Sequence, residues 1–319
     1  MLESRLCAEC GSALNAVEDK CFHCGGSVAQ PAKGAYFPLQ FYVDFLRYIA
    51  ARPDHYKVIT YDDLHWAVDE RHPADYRSEY MRWLRSNNNS RKIFILLQHD
   101  VDSRPERTME VLRHEAENKT PSNIMIFHRR IDRKKLKHAG LVEETDYNID
   151  HELIRSLSKS QRFVVGYHCN AFERAQADEL RASEIFRQDV SALRTHHCIR
   201  FFSPHGGVPS SDGRNNSSIT VPEDMADLIW VHNRYSPSFK ATYSDGGVNN
   251  RMRDPEKRDL ISFVKSMMPG NRYRILTHPQ YFDPVYREAP VLARSQWYRE
   301  VLEHYRAKTS TSIWEKILA

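Results

Sequence analysis

The sequence predicts an α/β domain built on parallel strands, with a small cysteine-bound module ahead of it. From about residue 93 onward, short apolar runs alternate with segments of helical periodicity. Four of the six cysteines fall within the first twenty-four residues, which sets that segment apart. The alternation means strands joined by crossover helices, in a barrel or an open sheet, with ligand chemistry at the carboxyl ends of the strands. Chemistry is expected there because apolar runs repeatedly end in Asp or His, at Asp100 and Asp102, His168, His205 and His278.

A chain of 319 residues, 41% apolar and 28% charged, has room for one large domain and an accessory piece. The net charge of +4 is spread along the chain and gives little support for nucleic-acid binding. No run approaches the roughly 18 apolar residues of a membrane span. The N-terminus lacks the apolar core of a secretory signal, so the expected compartment is the reducing cytoplasm.

Cys7-x2-Cys10 and Cys21-x2-Cys24 form two knuckles suited to one tetrahedral ion. Zinc fits four thiolates because it imposes no d-electron geometry and has no redox chemistry. Gly11 and Gly25 follow the second Cys of each knuckle and allow tight turns around sulfur. The segment has too few apolar residues to fold without the ion. It resembles the zinc-ribbon family over residues 1–30. The resemblance implies a structural Zn2+ without chemistry and a protein or nucleic-acid partner. Residues 31–36 read as linker, within the stretch Ala29–Gly34, and 37–319 as the large domain. Cys169 and Cys198 match no knuckle and read as buried thiols.

Within the large domain, Phe37 to about Ala51 has helical periodicity, with Phe41, Phe45, Leu46 and Ile49 on one face. Lys57–Thr60 reads as a strand, the segment from Asp62 through Trp66 as a helix and Ser78–Leu84 as another, ended by a loop over Ser86–Ser90. Ile93–Leu97 is a doubly buried strand. The remaining strands are expected over Asn123–Phe127, Phe163–Val165, Ile199–Phe202, Asp227–His232 and Tyr273–Thr277. Helices are expected over Pro105–Asn118, Asp150–Ser158, Ala177–Leu193 and Gln296–Ala307. The basic run His128–Lys137 reads as a solvated helix face, with a phosphate-contacting patch as its alternative.

If extended geometry persists past Leu97, Asp100 and Asp102 project to one side, and such a pair can divide labour between binding a cation and accepting a proton. His168 lies in Gly-Tyr-His-Cys-Asn, His205 in Ser-Pro-His-Gly-Gly and His278 in Leu-Thr-His-Pro, each just beyond an apolar strand. These motifs resemble the polysaccharide deacetylase family, the homology domain of carbohydrate esterase family four. The likeness spans roughly Ile93 to Phe282 and looks nearest to a divergent branch found among O-antigen and surface-polysaccharide genes. It implies a distorted (β/α) barrel and metal-assisted hydrolysis of an N-acetyl group on a sugar or polysaccharide precursor.

Carried over by position, Asp100 matches the general base, Asp102 the metal-binding carboxylate, His168 the first histidine ligand and His278 the acid that protonates the leaving amine. Asp245 matches a residue that orients a catalytic partner. The family's second motif carries another histidine four residues after the first, and this chain has Phe172 there. His205 is the substitute ligand expected from the residues, and the expected catalytic cation is Zn2+. Tyr167, Tyr243, Trp230 and Tyr281 are candidates to stack on sugar rings. The alternatives are a degenerate carbohydrate-binding or scaffold protein, favoured by Phe172, an amide hydrolase for a non-sugar substrate, and a nucleic-acid-associated hydrolase.

Overall fold

The computed structural model describes residues 37–68, 91–132, 136, 140–207, 210–245, 260–283, 301, 303–305, 307 and 312–318. It also describes two short strands, Arg5–Leu6 (β1) and Ala13–Leu14 (β2). These two pair antiparallel, Arg5 opposite Leu14 and Leu6 opposite Ala13. Cys7, Cys10, Cys21 and Cys24 lie outside the described residues. So do the linker, the helix expected over Ser78–Leu84, the loop over Ser86–Ser90 and most of the helix expected over Gln296–Ala307.

The large domain opens with Phe37–Pro38 (β3), the helix Leu39–Ala50 (α1), Tyr56–Ile59 (β4) and the helix Tyr61–Val68 (α2). Ile93–Val101 (β5), Pro105–Glu117 (α3) and Ser122–Ile126 (β6) follow, then the strands Arg129–Ile131 (β7) and Glu144–Asp146 (β8). Next come His151–Ser160 (α4), Phe163–Cys169 (β9), Ala171–Arg174 (α5), Glu179–Arg194 (α6) and Phe201–Pro204 (β10). Ile229–Trp230 (β11), Val231–Tyr235 (α7), Ala241–Ser244 (β12), Leu260–Lys265 (α8), Arg272–Thr277 (β13), Phe282–Asp283 (β14) and Ile313–Leu318 (α9) complete the order.

Eight described strands make one sheet, ordered β11-β10-β9-β6-β5-β13-β12, with β4 also paired to β5. Every pairing in it is parallel. One edge of β5 bonds β13 from Phe94 to His99. Its other edge serves β4 from Ile93 to Leu96 and then β6 from Gln98 to Val101. Buried Asn123 joins this fork: its side chain accepts from the Tyr61 N–H at 2.8 Å and donates to the Leu97 carbonyl at 2.7 Å.

The sheet curls. Laid flat, its seven-strand path would separate β11 from β12 by roughly 29 Å at the usual strand spacing. Residues 231–240 connect them through α7, a 3-10 turn at Ser236–Ser238 and two further residues, which together span at most about 20 Å. Side chains meeting across the interior agree with the curl. Tyr61 lies 5.7 Å from the Phe201 ring and 5.6 Å from that of Tyr235, and the Arg274 guanidinium sits over Phe239. Ile59, Leu96, Met125, Val164, Phe201, Val231 and Phe239 fill the same space. The terminal strands β11 and β12 do not pair with each other among the described residues, so the sheet is a curled half-barrel, and α7 contributes Val231 and Tyr235 to its interior. Two further apolar clusters lie outside the sheet, one under α1, α8 and α9 and the other under α3, α4 and α6.

A polar knot ties the outer layer to β5. Glu115 on α3 is fully buried and accepts from Tyr42 Oη at 2.7 Å and Ser122 Oγ at 2.6 Å, with His99 Nε2 at 2.8 Å. His99 Nδ1 reaches Thr277 Oγ1 at 2.8 Å. A carboxylate buried this deeply is tolerable because each oxygen is bonded. The knot fixes β13 against β5 one residue before His278.

The helix expected near the start runs over α1, and the expected strand at Ile93–Leu97 continues four residues further. The apolar run Asp227–His232 is two residues of strand followed by helix, because Val231 and Tyr235 face the barrel interior. The first part of the basic run is strand and not helix, whereas Leu136 further along it is helical. Arg129–Ile131 pairs antiparallel with Glu144–Asp146, and Arg129 is ion-paired to Glu144 and Asp146 across that hairpin. No described helix is long and apolar enough to cross a membrane.

Candidate active site

Alternation along β5 decides which residues reach the interior. Ile93, Ile95, Leu97 and Val101 pack against the outer helices, while Leu96 enters the interior cluster and Gln98 contacts interior Tyr61 and Asp100. Asp100 follows on this inner side, and Asp102 lies just past the strand end. Asp100 is held by a relay. Arg274 Nη1 donates to Tyr61 Oη at 3.4 Å, Tyr61 donates to Gln98 Oε1 at 2.5 Å, and Gln98 Nε2 donates to Asp100 Oδ1 at 2.7 Å. Burial disfavours the Asp100 charge, but His168, His278 and His232 outweigh it and hold the carboxyl below its ordinary range.

Asp102 is the hub. His168 Nε2 stands 3.0 Å and His205 Nε2 3.4 Å from its Oδ1. On the other oxygen, Gln280 Nε2 donates at 3.4 Å and His278 Nε2 lies at 3.8 Å. Burial again opposes the charge, and His205, His168 and His278 reverse the balance, so its pKa is strongly lowered. One ligand atom each from Asp102, His168 and His205 lies within 4.8 Å of the others. Among the described residues this is the one such group of three or more.

The far side of each imidazole is also fixed. His168 Nδ1 faces the Ser203 carbonyl at 3.1 Å and its hydroxyl at 3.0 Å. His205 Nδ1 faces Glu173 Oε2 at 3.6 Å, and Glu173 is buried. Asn216 accepts from the Glu173 N–H at 2.8 Å. Phe127 packs against both rings, with centroids 4.8 and 5.1 Å away. Orienting a ligand imidazole through its second nitrogen is the ordinary support of a metal site. One carboxylate and two imidazoles suit zinc and leave further positions open, so the donor set fits a divalent cation.

His278 is clamped by Asp245, which accepts its backbone N–H at 2.7 Å and its Nδ1–H at 2.5 Å. Burial lowers the His278 pKa, but Asp245, Asp102 and Asp100 together raise it from 6.5 to about 10. The imidazolium therefore presents Nε2–H toward the carboxylate pair.

Of the aromatic candidates, only Tyr281 comes to this site, its ring 5.5 Å from that of His278. Tyr167 faces outward, donating to Asp189 at 2.6 Å and packing on Phe186, because neighbours on a strand point to opposite faces. Tyr243 belongs to the outer cluster beside Phe263, and Trp230 packs on Phe202. Phe172 is core, 2% exposed, with Arg214 over its ring at 5.2 Å. Cys169 is buried, as expected, whereas Cys198 is exposed. Glu173, Tyr147, His232 and Gln280 are site neighbours that no sequence motif pointed out.

No family profile matches the chain, and no curated protein matches it. Two solved structures align loosely. A family 4 carbohydrate esterase from Bacillus anthracis shares 11% identity over 66% of this chain and 76% of its own, with a TM-score of 0.30. A Streptococcus mutans CE4 esterase shares 11% identity over 68% and 83%, with a TM-score of 0.31. Neither likeness assigns the chain to a family, and the chemistry of the site rests on its own residues.

Proposed function

We propose that the protein is a metal-dependent amide hydrolase that removes the acetyl group from an N-acetylated sugar or polysaccharide precursor. The observation that carries this is the convergence of Asp102, His168 and His205 within 4.8 Å, beside a second carboxylate and a charged histidine. The sugar as substrate follows from the resemblance of the strand-end motifs.

A divalent cation held by Asp102, His168 and His205 would supply Lewis-acid polarisation, worth several kcal/mol of barrier. Asp100, ionised and fixed by Gln98, accepts a proton from the attacking water as the new C–O bond forms. His278 gives its Nε2 proton to the nitrogen as the C–N bond breaks, so that acetate and a free amine leave. The relay through Tyr61 and Gln98 holds Asp100 in place, and Asp245 keeps His278 charged and aimed. The four N-terminal cysteines are assigned by their spacing to a structural zinc outside this chemistry.

Purified protein should release acetate from N-acetylated nucleotide sugars or oligosaccharides, lose that activity on chelation and regain it with Zn2+. Absence of release with every metal and substrate tried would overturn the reading. Glu173 gives a separate check on His205 as a ligand. Glu173→Gln should weaken affinity for the second zinc about 10- to 100-fold in a chelator competition while the folded structure persists. Unchanged affinity would remove His205 from the ligand set.

A further inference from the structure

Of the buried polar atoms without a hydrogen-bond partner among the described residues, three belong to side chains linked to the carboxylate pair: Gln280 Oε1, whose amide nitrogen donates to Asp102, and His232 Nε2 and Tyr147 Oη, on which the charges of Asp100 and Asp102 act. A buried polar group is usually bonded, so one left open beside a reactive site can take a polar ligand. Tyr147 is the sharpest case. It is 5% exposed, and its ring meets Phe127 edge-on at 5.6 Å. Phe127 in turn covers His168 and His205, so the phenol lies one ring beyond the imidazoles. Among the charges that act on the phenol, that of Asp102 is the largest. The loop carrying Tyr147 is pinned by its N–H, which donates to the His128 carbonyl at 3.2 Å, directly after the β7–β8 hairpin.

We propose that Tyr147 Oη–H is an oxyanion donor, giving its hydrogen bond to the oxygen of the acyl group under attack and, after cleavage, to acetate. A neutral phenol suits this role because it stabilises charge that develops on oxygen without changing the charge of the resting site. Burial pushes its pKa well up, so it stays a donor over the whole working range. The inference rests on the hydrolase reading for its substrate and adds a residue that the strand-end motifs do not contain.

Tyr147→Phe removes the hydroxyl and keeps the ring against Phe127. The variant should match wild type in zinc content and melting temperature. Its kcat for acetate release should fall about 100-fold with little change in KM. Calorimetry with sodium acetate on the zinc-loaded protein reads the same contact without turnover: wild type should bind at least about tenfold more tightly than the variant. Equal acetate affinities, or no acetate binding by wild type, would overturn the assignment. A wild type that binds acetate through Tyr147 but releases none from any amide would uphold the contact and overturn the hydrolase reading instead.

Discussion

Asp102→Asn is expected to empty the strand-end metal site and lower acetate release by at least about 10³-fold. His168, His205, His278 and Gln280 all converge on this carboxylate, so no neighbour can take its place. Asparagine keeps the shape and offers one neutral oxygen. It cannot offset the charge of a dication in a cavity where His168 is 1% exposed. Removing the carboxylate also removes a partner that raises the His168 pKa against burial, so the unloaded site is rearranged as well as discharged. Elemental analysis should fall from about two zinc ions per chain to about one, the remainder being the ion assigned to the cysteines. Asp100→Asn gives the contrast, since its carboxylate is assigned to the proton and not to the ion: metal content should hold while turnover collapses. Full occupancy and activity in Asp102→Asn would show that the cation, if any, binds elsewhere.

The architecture was legible wherever a strand is buried on both faces, because such a strand leaves an unbroken apolar run. Ile93–Leu97 is the example, although the run understates the strand, which continues through Gln98, His99 and Asp100. These polar residues stay extended because the knot around Glu115 and the Gln98 relay satisfy them, and both depend on residues far away in sequence, Tyr42 and Thr277 in the one and Tyr61 in the other. Ala241–Ser244 left no signal, since an edge strand with two exposed residues has no apolar run. The strand-end Asp and His stood out in the sequence because such residues are out of place after apolar runs, and Asp102, His168 and His205 do meet in the structure. Strand parity could also have separated Tyr167 from its neighbour His168, since successive side chains on a strand cannot face the same cavity. Glu173 and Tyr147 were not legible. Each reaches the site through tertiary packing, from a short helix and from a loop, and neither sits in a pattern that marks it. Phe172 drew attention as a missing histidine, while Glu173 beside it stands behind His205, the imidazole proposed to replace that ligand.

Asp245→Asn is expected to shift the pH dependence of turnover toward acid and to cost about 10²- to 10⁴-fold at pH 8. Burial alone would press the His278 pKa below 6.5, and the two contacts to Asp245 are the first of the influences that bring it instead to about 10. A histidine raised in this way stabilises the fold in full below its unfolded pKa, and that contribution disappears as pH rises through the folded value. Wild type should therefore keep its leaving-group acid through neutral pH and lose both activity and stability only toward pH 10. In Asp245→Asn the strongest opponent of desolvation is gone, and only Asp102 and Asp100 still raise the pKa. The imidazole is then neutral at pH 8, the departing nitrogen has no donor, and the alkaline limb of kcat/KM should move down by at least about two pH units. A cation at Asp102 cancels part of the support from that carboxylate but leaves the Asp245 clamp, so the shift should be present with zinc bound. Imidazole proton resonances followed through a pH titration would place the His278 pKa directly in both proteins. An unmoved alkaline limb, or a His278 titrating near 6.5 in wild type, would deny it the role of acid.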